Sequence, residues 1–201
     1  MANLSQYVGS DRSELDPLVK AFVIHCQFEA IHPFADGNGR VGRLLLSLMI
    51  YKWLRHAQPW LYLSAYFERF KDEYVDTMFR VSANGEWASW IEFCLRGVSA
   101  QARDSIQRCH AFRRLRDDFH QKLVSPTARS HQLVELLFTE PIVTIPLIAK
   151  RFGTTYHTAR SDIQSLVRTG ILKELADAKP RAYFAAEIMT IAYGPSIETS
   201  V

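Results

Sequence analysis

The stretch His32-Pro33-Phe34-Ala35-Asp36-Gly37-Asn38-Gly39-Arg40-Val41-Gly42-Arg43 limits what this chain can be more than any other. It gathers a proton acceptor, a carboxylate, glycines around an amide and two arginines into a segment too short and too polar to be core. Gly37, Asn38 and Gly39 tolerate the left-handed backbone angles that let successive N–H groups turn inward around an anion. Val41, Leu44, Leu45 and Leu48 follow at i, i+3, i+4 and i+7, the spacing of an amphipathic helix that starts near Gly39 or Arg40. The glycine loop therefore lies at a helix N-terminus, where unsatisfied N–H groups and the helix dipole favour phosphate. Arg40 and Arg43, three residues apart, share one side of that helix and can each grip phosphate oxygens by paired hydrogen bonds. Arginines on a solvated face are the plainer reading, but two of them at this end oppose the dipole unless an anion lies between. Asp36 suits Mg2+ held jointly with substrate phosphates. His32, with an ordinary pKa of about 6.5, can take a proton from an attacking hydroxyl. These are the parts of phosphoryl or nucleotidyl transfer. The nucleotide loop G-x-x-x-x-G-K-(S/T) is absent from the chain.

Position for position, the same twelve residues resemble the H-x-F-x-(D/E)-G-N-G-R-x-x-R signature of Fic-domain proteins, most of which transfer AMP from ATP to a protein hydroxyl. The resemblance implies His32 as general base, Asp36 as the metal-binding acid and Phe34 as an apolar anchor under the loop. It further implies that Gly37, Asn38 and Gly39 form the anion hole and that Arg40 and Arg43 bind the outer phosphates. ATP and Mg2+ are the implied substrate and ion, and a protein, the chain itself included, is the implied target. Other members move UMP, phosphate or phosphocholine, and the motif grips phosphates common to all of these. His25-Cys26-Gln27-Phe28-Glu29 and Tyr62-Leu63-Ser64-Ala65-Tyr66-Phe67 also resemble family members, although Val75 stands where a second tyrosine often follows Tyr74. Relatives with this arrangement usually carry more chain before the motif, including a target-docking flap and often an inhibitory helix marked (S/T)-x-x-x-E-(G/N)-N. Only 31 residues precede His32, and that inhibitory signature does not occur in the sequence.

Around the loop, Asp16-Pro17 predicts a cap and first helical position, and a helix from about Pro17 to Ile31 follows. Its apolar residues run nearly all the way round, which predicts burial on most sides and either an exposed apolar patch or a covering partner, such as a second copy. His25 reads as a core histidine. Residues 1–16 read as polar and turn-like. The helix after the motif is expected to reach about His56, and Leu61 to Arg80 reads as one helix with Tyr62, Tyr66, Phe70 and Tyr74 on a stripe that belongs to the core. Asn84-Gly85 is a turn, and Trp87 and Trp90 open helical sequence that continues to about Lys122.

Ser125-Pro126 marks a boundary. Three short helical segments follow (128–138, 145–152 and 155–169), then two β-rich pieces (171–175 and 181–185) around a polar turn, which is the order of a winged helix-turn-helix. The expected architecture is thus mainly α: a Fic-type helical core over 1–125, a small winged helix (α+β) over 126–190 and a tail over 191–201. Of 24 Lys/Arg and 21 Asp/Glu, eight and five fall within 127–184, leaving 16 of each sign elsewhere, so the net +3 resides in the second domain. If DNA is bound, Tyr156, His157, Arg160 and Ser161 would face the major groove and Arg181 would lie near phosphates. So thin a footprint favours protein docking or dimerisation over DNA.

A 48% hydrophobic content can build a real core. Cys26, Cys94 and Cys109 are far apart, without C-x-x-C or zinc spacing, and read as reduced core thiols of a cytoplasmic protein. No targeting segment or membrane span is expected.

Overall fold

The computed structural model describes residues 2–9, 15–54, 61–124, 126–176 and 178–194. Among the described residues the chain is mainly helical, with one small sheet, and it divides into two compact units, 1–105 and 106–201, each with its own core.

In the first unit, α1 (Ala2–Gly9) corrects the turn-like reading of the N-terminus. Leu4, Tyr7 and Val8, at i, i+3 and i+4, pack against the first core, and this short stripe is enough to fix a helix once a core exists to receive it. Then α2 (Pro17–Ile31) starts and stops where the sequence predicts. Asp16 accepts from the Leu18 N–H at 2.8 Å, and Pro17 takes the position whose N–H would be unpaired anyway. Ala21, Phe22 and Ile24 are fully buried and Cys26 and Phe28 nearly so, whereas Ala30 and Ile31 at the end of the helix are exposed.

After the loop come α3 (Asn38–Trp53), α4 (Leu63–Arg69), α5 (Lys71–Asn84) and α6 (Trp87–Gln121). The expected continuation of α3 to His56 lies outside the described residues. The single helix expected over 61–80 is two, because Phe70 (φ −115°, ψ 45°) leaves helical geometry while closing α4 through Tyr66 O and opening α5 through Tyr74 N. Its aromatic stripe is only half core: Tyr66 and Tyr74 are buried, whereas Tyr62 and Phe70 are exposed. Phe67, Tyr74, Trp90 and Phe93 pack ring against ring with centroids 4.8–6.3 Å apart. The Trp90 indole N–H donates to Phe22 O at 3.1 Å, which ties α6 to α2.

The face of α3 also differs from expectation. Val41, Leu44 and Leu48 are 40%, 61% and 54% exposed, whereas Asn38, Gly42, Leu46, Met49 and Ile50 are buried. The buried side is the one that a small residue, Gly42, lets closest to α2.

In the second unit, α6 supplies Leu115 and Phe119 to the core, so the division at 105/106 falls inside this helix, ahead of the boundary suggested by Ser125-Pro126. There follow α7 (Ala128–Leu137), β1 (Ile142–Thr144), α8 (Ile145–Arg151), α9 (Tyr156–Arg168), β2 (Lys173–Leu175), β3 (Ala182–Phe184) and α10 (Ala186–Tyr193). Thr127, Thr144 and Thr155 each cap the helix they precede by accepting a backbone N–H. The sheet is antiparallel in the order β1-β3-β2, with Tyr183 opposite both Val143 and Glu174. The sequence reading missed β1, and α10 carries the fold past the expected end at 190. Of the cysteines, Cys26 and Cys94 are core thiols as expected, but Cys109 is exposed. Among the described residues no helix is long and apolar enough to cross a membrane.

Candidate active site

The loop between α2 and α3 is built by two backbone reversals. His32, the C-cap of α2, is left-handed (φ 49°, ψ 58°), a conformation a non-glycine residue adopts only under local constraint. Its N–H bonds to Phe28 O, which closes the helix, and its Nδ1 lies 3.3 Å from Glu29 O. An Nδ1–H donated to that carbonyl leaves Nε2 as the basic nitrogen. The imidazole is exposed and can meet a substrate. The second reversal is Gly37 (φ 83°), the N-cap of α3, where any Cβ would be strained.

Asn38 locks the loop between them. Its buried amide accepts from the Phe34 N–H at 2.9 Å and donates to Phe34 O at 2.6 Å, satisfying both backbone groups of one residue. The Asn38 side chain thus holds the loop, and what Gly37-Asn38-Gly39 offers an anion is backbone N–H at a helix start. The Phe34 ring is 48% exposed and meets Phe28 of α2 with centroids 6.3 Å apart.

Asp36 is exposed. One oxygen accepts from the Gly37 N–H at 2.7 Å, and the other lies 3.3 Å from the Arg40 guanidinium. Arg40 and Arg43 line one side of a cleft of about 510 Å3, together with Leu44 and Ser47; Tyr62, Ser64, Ala65 and Glu68 line the other. Cationic groups on one wall and hydroxyls, an aromatic ring and a carboxylate on the other suit a ligand that is anionic at one end and polar and flat at the other. Among the described residues no group of three His, Cys, Asp or Glu converges on a metal position. An ion at Asp36 would therefore complete its shell with phosphate oxygens and water, as Mg2+ does.

Sequence reasoning missed Gly42. A Cβ there would lie 2.2 Å from Glu29 Oε1 and 3.1 Å from Phe28 Cδ1, so glycine is what lets α2 and α3 meet beneath the loop. A glycine inside a helical pattern was the available signal. Gly37 to Gly42 also spells G-x-G-x-x-G, but helix α2, not a strand, precedes it, so the setting of a dinucleotide fingerprint is absent.

Below the loop, His25 is fully buried and its Nε2 lies 2.9 Å from the Tyr74 hydroxyl. Burial lowers its pKa to about 4, with the Arg43 charge adding to the effect and a backbone bond at Gly42 opposing it. Burial also raises the Glu29 carboxyl, against the pull of Arg43 and His32, and pushes the Cys26 thiol up to about 11.

The remaining candidates lie in the second unit. Tyr156, His157, Arg160 and Ser161 stand exposed on the first part of α9, and Arg181 pairs with Glu174 across β2 and β3 at 2.9 Å.

Comparison with known proteins agrees with the loop. A probable protein adenylyltransferase of Aquifex aeolicus (strain VF5) is 53% identical over 36 residues, 18% of this chain and 11% of that protein. A protein adenylyltransferase of Caenorhabditis elegans is 47% identical over 36 residues, 18% of this chain and 7% of that protein. The matches thus span small parts of these relatives. A Fic family protein of Desulfovibrio desulfuricans G20, solved by crystallography, shares the fold at a TM-score of 0.51 and 19% identity, over 92% of this chain and 53% of that one. Residues 1–50, which hold α1, α2, the loop and most of α3, match the model of the Fic/DOC family.

Proposed function

We propose that this chain is a Fic-type transferase that moves AMP from ATP to a Ser, Thr or Tyr hydroxyl of a protein. The observation that carries the reading is the complete loop at the N-terminus of α3, with Arg40 and Arg43 on the wall of the adjoining cleft. In this mechanism His32 Nε2 takes the hydroxyl proton, the oxygen forms a bond to the α-phosphorus, and the bond to the bridging oxygen breaks to release pyrophosphate. The backbone N–H groups of Asn38 and Gly39 at the start of α3 and the two arginines hold the phosphates and offset the developing charge. Mg2+ held by Asp36 and the nucleotide would add charge neutralisation between the phosphates. Incubation of the purified chain and of a cell lysate with labelled ATP and Mg2+ tests the proposal. Labelling should fall about 10²–10⁴-fold in His32→Ala, the range of a lost general base. Equal labelling by wild type and variant would sink it. Competition among ATP, UTP and GTP for the same site distinguishes AMP from other transferred groups.

We further infer that the second unit is a winged helix. The order α7, β1, α8, α9, β2, β3 and the three threonine caps support this. Protein docking is its favoured use, since Arg181 is already paired to Glu174 and the charge excess is small.

A further inference from the structure

Glu29 stands on the last turn of α2, half-buried, directly before the loop. Its Oε1 is buried and, among the described residues, has no hydrogen-bond partner. That oxygen packs on Gly42, where a Cβ would lie 2.2 Å from it, so the carboxyl group rests against the first turns of α3. A buried carboxylate oxygen without a donor costs stability, and nothing in the packing of α2 on α3 requires an acid there.

The titratable groups packed beneath it carry no charge at neutral pH. Burial lowers His25 to about 4 and pushes the Cys26 thiol up to about 11. Burial, with the Glu29 charge adding to it, also keeps the Tyr74 hydroxyl protonated. The charges that pull the Glu29 carboxyl toward its ionised form are Arg43 and His32, both of the candidate site. His32 follows Glu29 by three residues, and its Nδ1 lies 3.3 Å from Glu29 O. With Nδ1–H held by that carbonyl, a proton taken up at Nε2 creates an imidazolium beside the carboxylate of the same residue. Arg43 lies back along the start of α3, its Nη1 3.2 Å from the place of a Gly39 Cβ. One fixed carboxylate thus acts on the group that gains positive charge during transfer and on a group that meets phosphate from the outset.

We propose that Glu29 is a positioning residue for the transfer, a fixed negative charge that favours protonated His32 and tempers the grip of Arg43 on phosphate. The rate effect rests on the transferase reading; the binding effect does not. The two effects oppose each other. The carboxylate weakens binding of a polyphosphate in the ground state, and it offsets the charge that His32 gains as the hydroxyl proton moves to Nε2. A charge that costs ground-state affinity and favours the transition state raises kcat.

Three variants, Glu29→Gln, Glu29→Ala and Glu29→Asp, separate charge from shape. With labelled ATP and Mg2+ at pH 8, E29Q and E29A should lose kcat alike, about tenfold, while E29D, which keeps the charge, should stay within about threefold of wild type. Calorimetry with inorganic tripolyphosphate, which involves no transfer, should show E29Q and E29A binding about threefold tighter than wild type. Far-UV circular dichroism and Tm establish that each variant is folded, and E29Q alone suffices if E29A is not. A packing role predicts the other order: E29Q near wild type because it keeps the shape, E29A and E29D impaired, with affinity and rate falling together. That order, or tripolyphosphate bound no more tightly by E29Q than by wild type, overturns the proposal. Wild type that labels nothing above His32→Ala strikes the transferase reading alone, because the tripolyphosphate comparison still decides the role of Glu29.

Discussion

Helices α2 and α3 are consecutive, 15 and 16 residues long, and joined by the candidate active loop, yet they meet water in opposite ways. On α2 apolar residues run round the helix, and Ala21, Phe22, Ile24, Cys26 and Phe28 among them are buried. On α3 the apolar stripe Val41, Leu44, Leu48 faces outward, while the buried side includes a glycine and an asparagine. Hydrophobicity alone would have turned α3 the other way. What turns it is the loop: Asn38 must sit inward to hold Phe34, and Gly42 must face Glu29 and Phe28 for the two helices to approach. The N-terminal start of α3 is thus fixed to α2 by side chains that contribute little hydrophobic burial.

This contrast predicts its largest effect on α2. Phe22→Ala removes a fully buried ring and should destabilise the chain by about 3–5 kcal/mol in urea unfolding. A loss below about 1 kcal/mol would mean that α2 is not the centre of the first core. Next comes Gly42→Ala, which puts a methyl against Glu29 Oε1 and the Phe28 ring and should cost about 1–3 kcal/mol through overpacking. Adding Glu29→Ala should return part of that loss, because the carboxylate is the closest obstacle. If the double variant is merely additive, close approach at Gly42 is not what orients α3.

The buried side of α2 should also respond to pH. His25 in the folded chain has a pKa lowered to about 4, while in the unfolded chain it titrates near 6.5. Between these values the unfolded state binds more protons, so stability falls as pH falls from about 6.5 toward 4 and the effect levels off below. From pH 7 to pH 5 the loss assigned to His25 is about 2 kcal/mol. Urea midpoints of wild type and His25→Gln at the two pH values isolate it, since other carboxyl groups, Glu29 among them, contribute to both. Parallel pH profiles would show that His25 is not held neutral.

Local chemistry made α2 and the loop legible in the sequence. Asp16-Pro17 set the start of α2, and Gly37, Asn38 and Gly39 announced the turn into α3. In the second unit the expected helical segments 128–138, 145–152 and 155–169 likewise match α7, α8 and α9 within a residue or two. What was hidden depended on partners distant in sequence. Leu4, Tyr7 and Val8 become a helix only because a core receives them, and Phe70 breaks a long periodic run at a place that no glycine or proline marks. At three residues, β1 is too short for alternation to show, and β3 defines it by pairing. A contact between His120 and His131 joins α6 and α7 across a segment whose geometry no local pattern reports. Within the site, residue types were readable, but the bond of the Asn38 amide to both backbone groups of Phe34 was not, because no local pattern reports it.

The smallest effect tests the exposed face of α3 most directly. Leu48 is 54% exposed and, unlike Leu44, lines no part of the cleft, so Leu48→Lys should change neither the site nor the core. A solvent-facing substitution of this kind shifts stability by no more than about 0.5 kcal/mol, and solubility should rise as an apolar residue leaves the surface. The opposite reading of α3, with Val41, Leu44 and Leu48 packed inward, predicts several kcal/mol for the same change, because a charge would then enter a core without a partner. The two orientations differ by more than the error of a denaturation curve, so one variant separates them. An intact fold in Leu48→Lys beside a damaged one in Gly42→Ala would establish that the approach of α2, and not the apolar stripe, sets which way the N-terminal end of α3 points.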